Sequence, residues 1–177
     1  MDSIIIAAGA APFVPPLPGL EEVGYLTSDT LWDKLKGREK VPKRLVVLGG
    51  GPIGTELAQA FARLGSEVTQ IQMGKRIMLR EDPEVSEMVQ KSLEHDGVTV
   101  LTNHKAVGCG LTNDEKWIEV EDQGKTQRII FDELIVAVGR APRLKGFGLE
   151  ELGIPLGRVV QTNEYLETIY PHILAAG

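Results

Sequence analysis

"LVVLGGGPIGTELAQAFARL", residues 45–64, passes from four apolar residues straight into three consecutive glycines. Leu45–Leu48 show no polar alternation, the pattern of a strand covered on both faces, as in a parallel sheet. Beyond the glycines, Ile53, Leu57, Phe61 and Leu64 recur at helical spacing, so the unit reads strand, tight turn, helix. Gly49, Gly51 and Gly54 fit G-x-G-x-x-G at that junction, with Gly50, Pro52 and Ile53 in the spacer positions. In such a pattern the first glycine permits the turn, the second lets a pyrophosphate approach the backbone, and the third lets the helix lie close on its strand. Unpaired N–H groups and the positive end of the helix dipole then face the anion. A second apolar strand, "SEVTQIQ" (Ser66–Gln72), follows through a short link at Gly65 and completes the start of a βαβ unit. That context disfavours the bland alternative, a glycine-rich turn that only permits packing.

The 177 residues are 42% hydrophobic, enough to bury one good core with an appendage. A formal net charge of −6 disfavours nucleic acid or an anionic membrane as the principal partner. The single cysteine, Cys109, excludes an internal disulfide and any paired-cysteine redox motif within these residues. It is read as a small buried apolar residue. "MDSIIIAAGAAPF" lacks a basic segment and a long enough apolar run for a signal peptide, and nothing later reaches transmembrane length, so a cytoplasmic location is expected. His95, His104 and His172 lack ligand spacing, so no metal site is expected.

Along the chain, Ser3–Ala10 reads as a buried strand ending at Gly9, and "PFVPPLPGLEEVG" as an extended segment too proline-rich for helix. Ser28 or Asp29 is expected to cap a short helix through Leu31, Trp32 and Leu35. Pro83 opens a helix with an apolar face at Val85, Met88, Val89 and Leu93 that stops at Gly97. "VTVLTN", "KAVGCGLTN", "EKWIEVED" and "TQRIIFD", parted by turn signals such as "TNDE" and "QGK", predict a small antiparallel meander. "ELIVAVG" (Glu133–Gly139) returns as a fully apolar strand, so the meander interrupts a parallel sheet. An apolar strand begins again in "TIYPHILAAG", and the whole is expected to be a middle portion of a longer polypeptide.

Four stretches in order, "IIIAAGAAPFVPPLPG", "GGGPIGTE", "VAVGRAP" and "TIYPHILAAG", resemble the FAD-dependent pyridine nucleotide-disulfide oxidoreductases, in particular the mercuric reductase and dihydrolipoamide dehydrogenase branch. The resemblance implies an α/β, Rossmann-like FAD/NAD(P)-binding fold with a parallel sheet flanked by helices and an inserted antiparallel meander. It implies a truncated FAD-domain edge at 1–20, a connector at 21–44, an NAD(P)H-binding domain at 45–140 and a return into the FAD domain at 141–177. Ala8 and Gly9 would then lie beside the flavin nucleotide, and Gly177 would precede the family's flavin-binding aspartate. A homodimer is implied for the full-length protein.

Glu56, two positions after the last fingerprint glycine, is placed on the first helical turn. In the family the matching glutamate sits near the nicotinamide; a carboxylate favoured by the helix dipole is the structural alternative. Gln72 stands at the end of the second strand, roughly 20 residues after Gly51, where an acidic residue would bind the ribose hydroxyls of NAD. Glutamine does not repel a 2′-phosphate, and Lys75 and Arg76 could receive one as charge-assisted donors, so the balance leans to NADP while NAD stays open. Gly139 and Arg140 form the family's glycine-arginine turn near the nicotinamide end, and Ala106 offers a backbone wall to the adenine pocket or is a plain strand residue. Pro52 leaves no aromatic gate over the flavin.

The expected function is therefore to position a nicotinamide for hydride transfer to or from FAD, with electrons passing onward to a disulfide and a small substrate in the parent protein. One rival keeps the flavoenzyme without the disulfide, as in NAD(P)H oxidases or ferredoxin reductases. Another is a non-catalytic nucleotide sensor. A methyltransferase also begins on a glycine-rich turn but leaves the terminal motifs unexplained.

Overall fold

The computed structural model describes residues 3–176, which separate into two compact units: Pro12–Gly139, and a second built from the residues before and after it. Within Pro12–Gly139 the strands β3 (Arg44–Leu48), β4 (Glu67–Ile71), β5 (Thr99–Leu101) and β9 (Glu133–Val136) form a parallel sheet in the order β5-β4-β3-β9. Val46 stands beside Thr69 on one side and Leu134 on the other, and Gln70 beside Val100. Leu26 bridges to Ile135 at the far edge.

The apolar run at 45–48 is explained by two separate covers. Successive strand residues face opposite ways. Leu45 and Val47 pack with Ala58 and Phe61 of α3 (Pro52–Arg63), Leu93 of α4 (Pro83–His95) and Leu31 of α2 (Leu31–Leu35). Val46 and Leu48 pack with Ile118, Val120 and Phe131 from an antiparallel sheet of β6 (Lys105–Thr112), β7 (Glu115–Asp122) and β8 (Lys125–Phe131). Each such aliphatic side chain contributes about 1.5–3 kcal/mol of burial. The two hairpin turns, Asn113-Asp114 and Gln123-Gly124, have positive φ at both central residues, the geometry that matches strand twist.

Three expectations are corrected in this unit. Thr99–Leu101 joins the parallel sheet, not the meander, because its partner is β4. The N-cap of α2 is Thr30, not Ser28 or Asp29, and the Thr30 hydroxyl accepts from the amide of Thr27 at 2.9 Å. The proline-rich stretch does include a helical turn, α1 (Leu20–Val23), since Leu20 and Val23 bury against the meander once the chain has passed Pro18. The ends of the unit meet: the amide of Phe13 donates to the carbonyl of Gly139 at 2.9 Å.

In the second unit β1 (Ile4–Ile6) pairs in parallel with β11 (Ile173–Ala175); β2 (Ala10–Pro12) and β10 (Arg140–Pro142) make a separate two-stranded sheet. Leu149, Ile154 and Ile173 form its small core. The opening strand is shorter than expected and not buried, with Ile4 and Ile5 55% and 67% exposed; among the described residues it pairs with β11 alone.

Candidate functional site

The turn between β3 and α3 is built by four glycines with different constraints. Gly49 has φ +118, and a methyl group there would land on the carbonyl oxygen of Ala137. A methyl on Gly54 would strike the carbonyl of Gly49, so this glycine seats the helix on its strand. On Gly50 it would fall 2.9 Å from Ile77 Cγ2 and 3.0 Å from Gln72 Cβ. Gly51 differs. Its φ is −80 and ψ 178, a conformation open to any residue, and a methyl group there would meet nothing within 4 Å. No group among the described residues requires position 51 to be bare.

Gly51 is the N-cap of α3 and Pro52 its first residue, and no side chain among the described residues caps the helix. The first ladder bond runs from Thr55 N–H to the carbonyl of Gly51 at 2.9 Å. The amides of Ile53 and Gly54 therefore have no intrahelical acceptor and find none elsewhere among the described residues. These donors, with the dipole, make the end of α3 receptive to an anion. Its far end is held to α4 by Asp96, which accepts from Gln59 Nε2 at 2.7 Å and Arg63 Nε at 2.9 Å. Those hydrogen bonds hold the Asp96 carboxyl below the usual carboxylate range.

A residue that sequence reasoning passed over supports the turn from below. Gln70, fully buried, donates through Nε2 to the carbonyl of Gly49 at 3.0 Å and to Thr55 Oγ1 at 3.2 Å, tying turn and helix to β4. Its Oε1 has no partner among the described residues. The available signal was a glutamine inside an otherwise buried strand, where an amide needs hydrogen bonds.

Gln72 follows β4 directly, and its side-chain Oε1 accepts from the amide of Gly50 at 3.0 Å. The carbonyl of the same glycine accepts from Met78 N at 2.7 Å. Lys75 is exposed. The Arg76 guanidinium, in contrast, donates to the carbonyls of Leu79 and Glu81 at 3.3 and 3.2 Å, bracing its own loop. Ile77, fully buried, accepts at its carbonyl from the Ser86 hydroxyl. The structure thus brings Gly49–Gly54, Gln72 and the loop of Lys75 and Arg76 together.

The other sequence-derived candidates lie elsewhere. Glu56 is exposed but occupies the fifth position of α3, opening the second turn and not the first, because the helix starts at Pro52. Dipole stabilisation falls off beyond the first turn, which weakens that account of it. Ala106 lies beside a β-bulge in β6 and packs half-buried on the core. Gly139 has φ +139. Ala8, Gly9 and Arg140 belong to the second unit: Ala8 lines an open apolar cleft of about 420 Å³, Gly9 has φ +69 and accepts from the amide of Arg143, and Arg140 donates to the carbonyl of Ala10. Gly177 lies outside the described residues. Burial pushes the Cys109 thiol up to about 11, so it is protonated at neutral pH. Among the described residues no helix is long and apolar enough to cross a membrane.

Comparison with known proteins agrees with this architecture. A mercuric reductase from Staphylococcus aureus is 40% identical over 99% of this chain, and a dihydrolipoyl dehydrogenase from Thermus scotoductus is 38% identical over 99%. The chain spans 32% and 38% of those two proteins, about a third of each. Among solved structures, the HOCl-induced flavoprotein disulfide reductase RclA from Escherichia coli superposes with a TM-score of 0.83 at 28% identity, over 99% of this chain and 39% of its own. A ferredoxin reductase from Rhodopseudomonas palustris does so with a TM-score of 0.80 at 25% identity, over 99% of this chain and 43% of its own. These proteins share the Rossmann-like α/β fold described above. With residues 1–177 matching its signature throughout, the chain belongs to the pyridine nucleotide-disulphide oxidoreductase family.

Proposed function

We propose that the Pro12–Gly139 unit binds a nicotinamide dinucleotide, NADH or NADPH, as the coenzyme-binding part of an FAD-dependent oxidoreductase. The observation that carries this reading is Gly51: neither its backbone angles nor its neighbours exclude a side chain, so its bareness serves a group from outside the chain. A pyrophosphate fits, because the open amides of Ile53 and Gly54 and the positive helix end lie at the same turn. When bound, the coenzyme supplies or accepts a hydride, and FAD in the parent protein is its redox partner. The chain's own part is to bind and orient. The glycine turn holds the pyrophosphate, and Glu56, exposed at the second turn, lies towards the nicotinamide half and aligns it. Gly139 contributes the turn beyond β9 and Ala106 a wall for the adenine, while Arg140, of the other unit, is assigned to the glycine-arginine turn by the family resemblance alone.

Gln72 carries no charge to repel a 2′-phosphate, and Lys75 in the following loop can donate to one, which supports the lean to NADPH. Arg76 is the weaker candidate, since Leu79 and Glu81 already engage it. Ala8, Gly9 and Gly177 are assigned to the flavin side by the family resemblance. Onward transfer to a disulfide and a small substrate, a homodimer and a cytoplasmic setting complete the proposal for the full-length protein. The relative named ferredoxin reductase keeps a second reading in view, in which the flavin serves an acceptor other than a disulfide.

Calorimetric titration with both coenzymes tests the site. The wild-type chain is expected to bind at least one of them, and Gly51→Ala to weaken binding by about tenfold or more through a clash with the pyrophosphate. Its stability should stay within about 1 kcal/mol of wild type, since a poorer N-cap is offset by a less flexible unfolded chain. Wild-type affinity retained in Gly51→Ala would overturn the reading.

A further inference from the structure

The residue after β4 in a dinucleotide fold is expected to face outward and read the ribose. Here its side chain is turned the other way. Oε1 of Gln72 accepts from Gly50 N–H at 3.0 Å, and the opposite amide orientation would set two donors against each other. At its other face, a methyl group on Gly74 would come 2.9 Å from Gln72 Nε2 and close against Leu79 Cδ1. Gly74 has no positive φ, and the side-chain ends of Gln72 and Leu79 occupy the space a Cβ there would take. Gly50 likewise leaves space for Cβ and Cγ of Gln72. The backbone of Gln72 is fixed too, donating to the Leu101 carbonyl at 2.8 Å and accepting from His104 N at 3.1 Å. The Gly50 carbonyl is taken by Met78 N, so both polar groups of this one glycine are tied to the 72–78 segment.

We infer that Gln72 is a positioning residue: its amide, lodged between Gly50 and Gly74, fastens the glycine turn to the loop after β4 and sets the turn for either coenzyme alike, without reading the ribose. The inference rests on the dinucleotide reading above and assigns this side chain a different task within it. Turning Gln72 outward to a ribose hydroxyl would break the Gly50 bond and leave that amide unpaired beside Ile77.

The test compares Gln72→Asn, Gln72→Leu and Gln72→Glu in the full chain, by amide hydrogen exchange at Gly50 without coenzyme and by titration with NADH and NADPH. Asn keeps the amide but is one carbon too short, and Leu removes the acceptor. In both, Gly50 exchange is expected to accelerate and both dissociation constants to rise by the same factor of about three to ten, the effect of one neutral hydrogen bond. The NADH-to-NADPH ratio should not move. Glu retains an acceptor, so Gly50 protection should survive while the added charge moves the ratio towards NADH. Should Leu fail to fold, the Asn and Glu variants carry the comparison. Unchanged Gly50 exchange in Gln72→Asn, loss of protection in Gln72→Glu, or a ratio that shifts in Gln72→Asn without a common loss would overturn the inference. Failure of the wild-type chain to bind either coenzyme would refute the dinucleotide reading itself, whereas wild-type binding with unchanged Gly50 exchange in Gln72→Asn refutes the positioning role alone.

Discussion

Gly49 and Gly51 are two residues apart and identical in chemistry, yet the structure makes opposite demands on them. An alanine at 49 would need φ +118 and would collide with the Ala137 carbonyl, both costs falling on the fold. Gly49→Ala is therefore expected to lose more than about 3 kcal/mol in denaturant unfolding, in contrast to the near-neutral Gly51→Ala. Lys75 yields a second contrast. Its ammonium is exposed, and Lys75→Gln should weaken NADPH several-fold, about 1 kcal/mol, while leaving NADH nearly unchanged. The fingerprint glycines and the basic loop were legible in the sequence because local spacing determines them. The inward turn of Gln72 was not, since it depends on a Gly50 amide brought close by the fold, nor was the engagement of Arg76, which depends on how its own loop curls onto the carbonyls of Leu79 and Glu81.

At the level of the elements, the two long helices and the hairpin turns were the readable part, while the short α1 and the cap of α2 were not. Pro52 and Pro83 opened α3 and α4, and both hairpin turns announced themselves as "ND" and "QG". Strand membership was harder: Thr99–Leu101 has the same β-branched character as its neighbours, and only its pairing with β4 separates it from the meander. The start of β3 carries a charge clasp that periodicity does not reveal. Asp132, just before β9, accepts from Arg44 Nη2 at 2.7 Å and from the Arg44 amide at 2.8 Å, which holds its carboxyl below the usual carboxylate range. Because the folded-state value is depressed, this contribution is present above about pH 4 and is lost as pH falls through the lowered value. Asp132→Asn should flatten the acid limb of a stability-against-pH curve measured by thermal unfolding; an unchanged limb would show that the clasp adds nothing. In β6, the buried Cys109 thiol should resist iodoacetamide at pH 8 in the native protein and react on unfolding in urea.

For the molecule as a whole, the proposed pyrophosphate site belongs to one unit. The glycine turn, Gln72 and the 73–82 loop all lie within Pro12–Gly139, with both faces of the sheet covered from inside that unit. Expression of residues 12–139 alone is expected to give a folded protein that binds the same coenzyme within about threefold of the full chain, as a unit with its own core can. Loss of cooperative unfolding or of binding in that fragment would show that the flanking residues are needed. The 2.9 Å bond from Phe13 to Gly139 gives this block adjoining ends. A host protein could therefore accept it as a cassette through a single point of attachment, and recombination that exchanges one such cassette for another need disturb little more than two neighbouring peptide bonds.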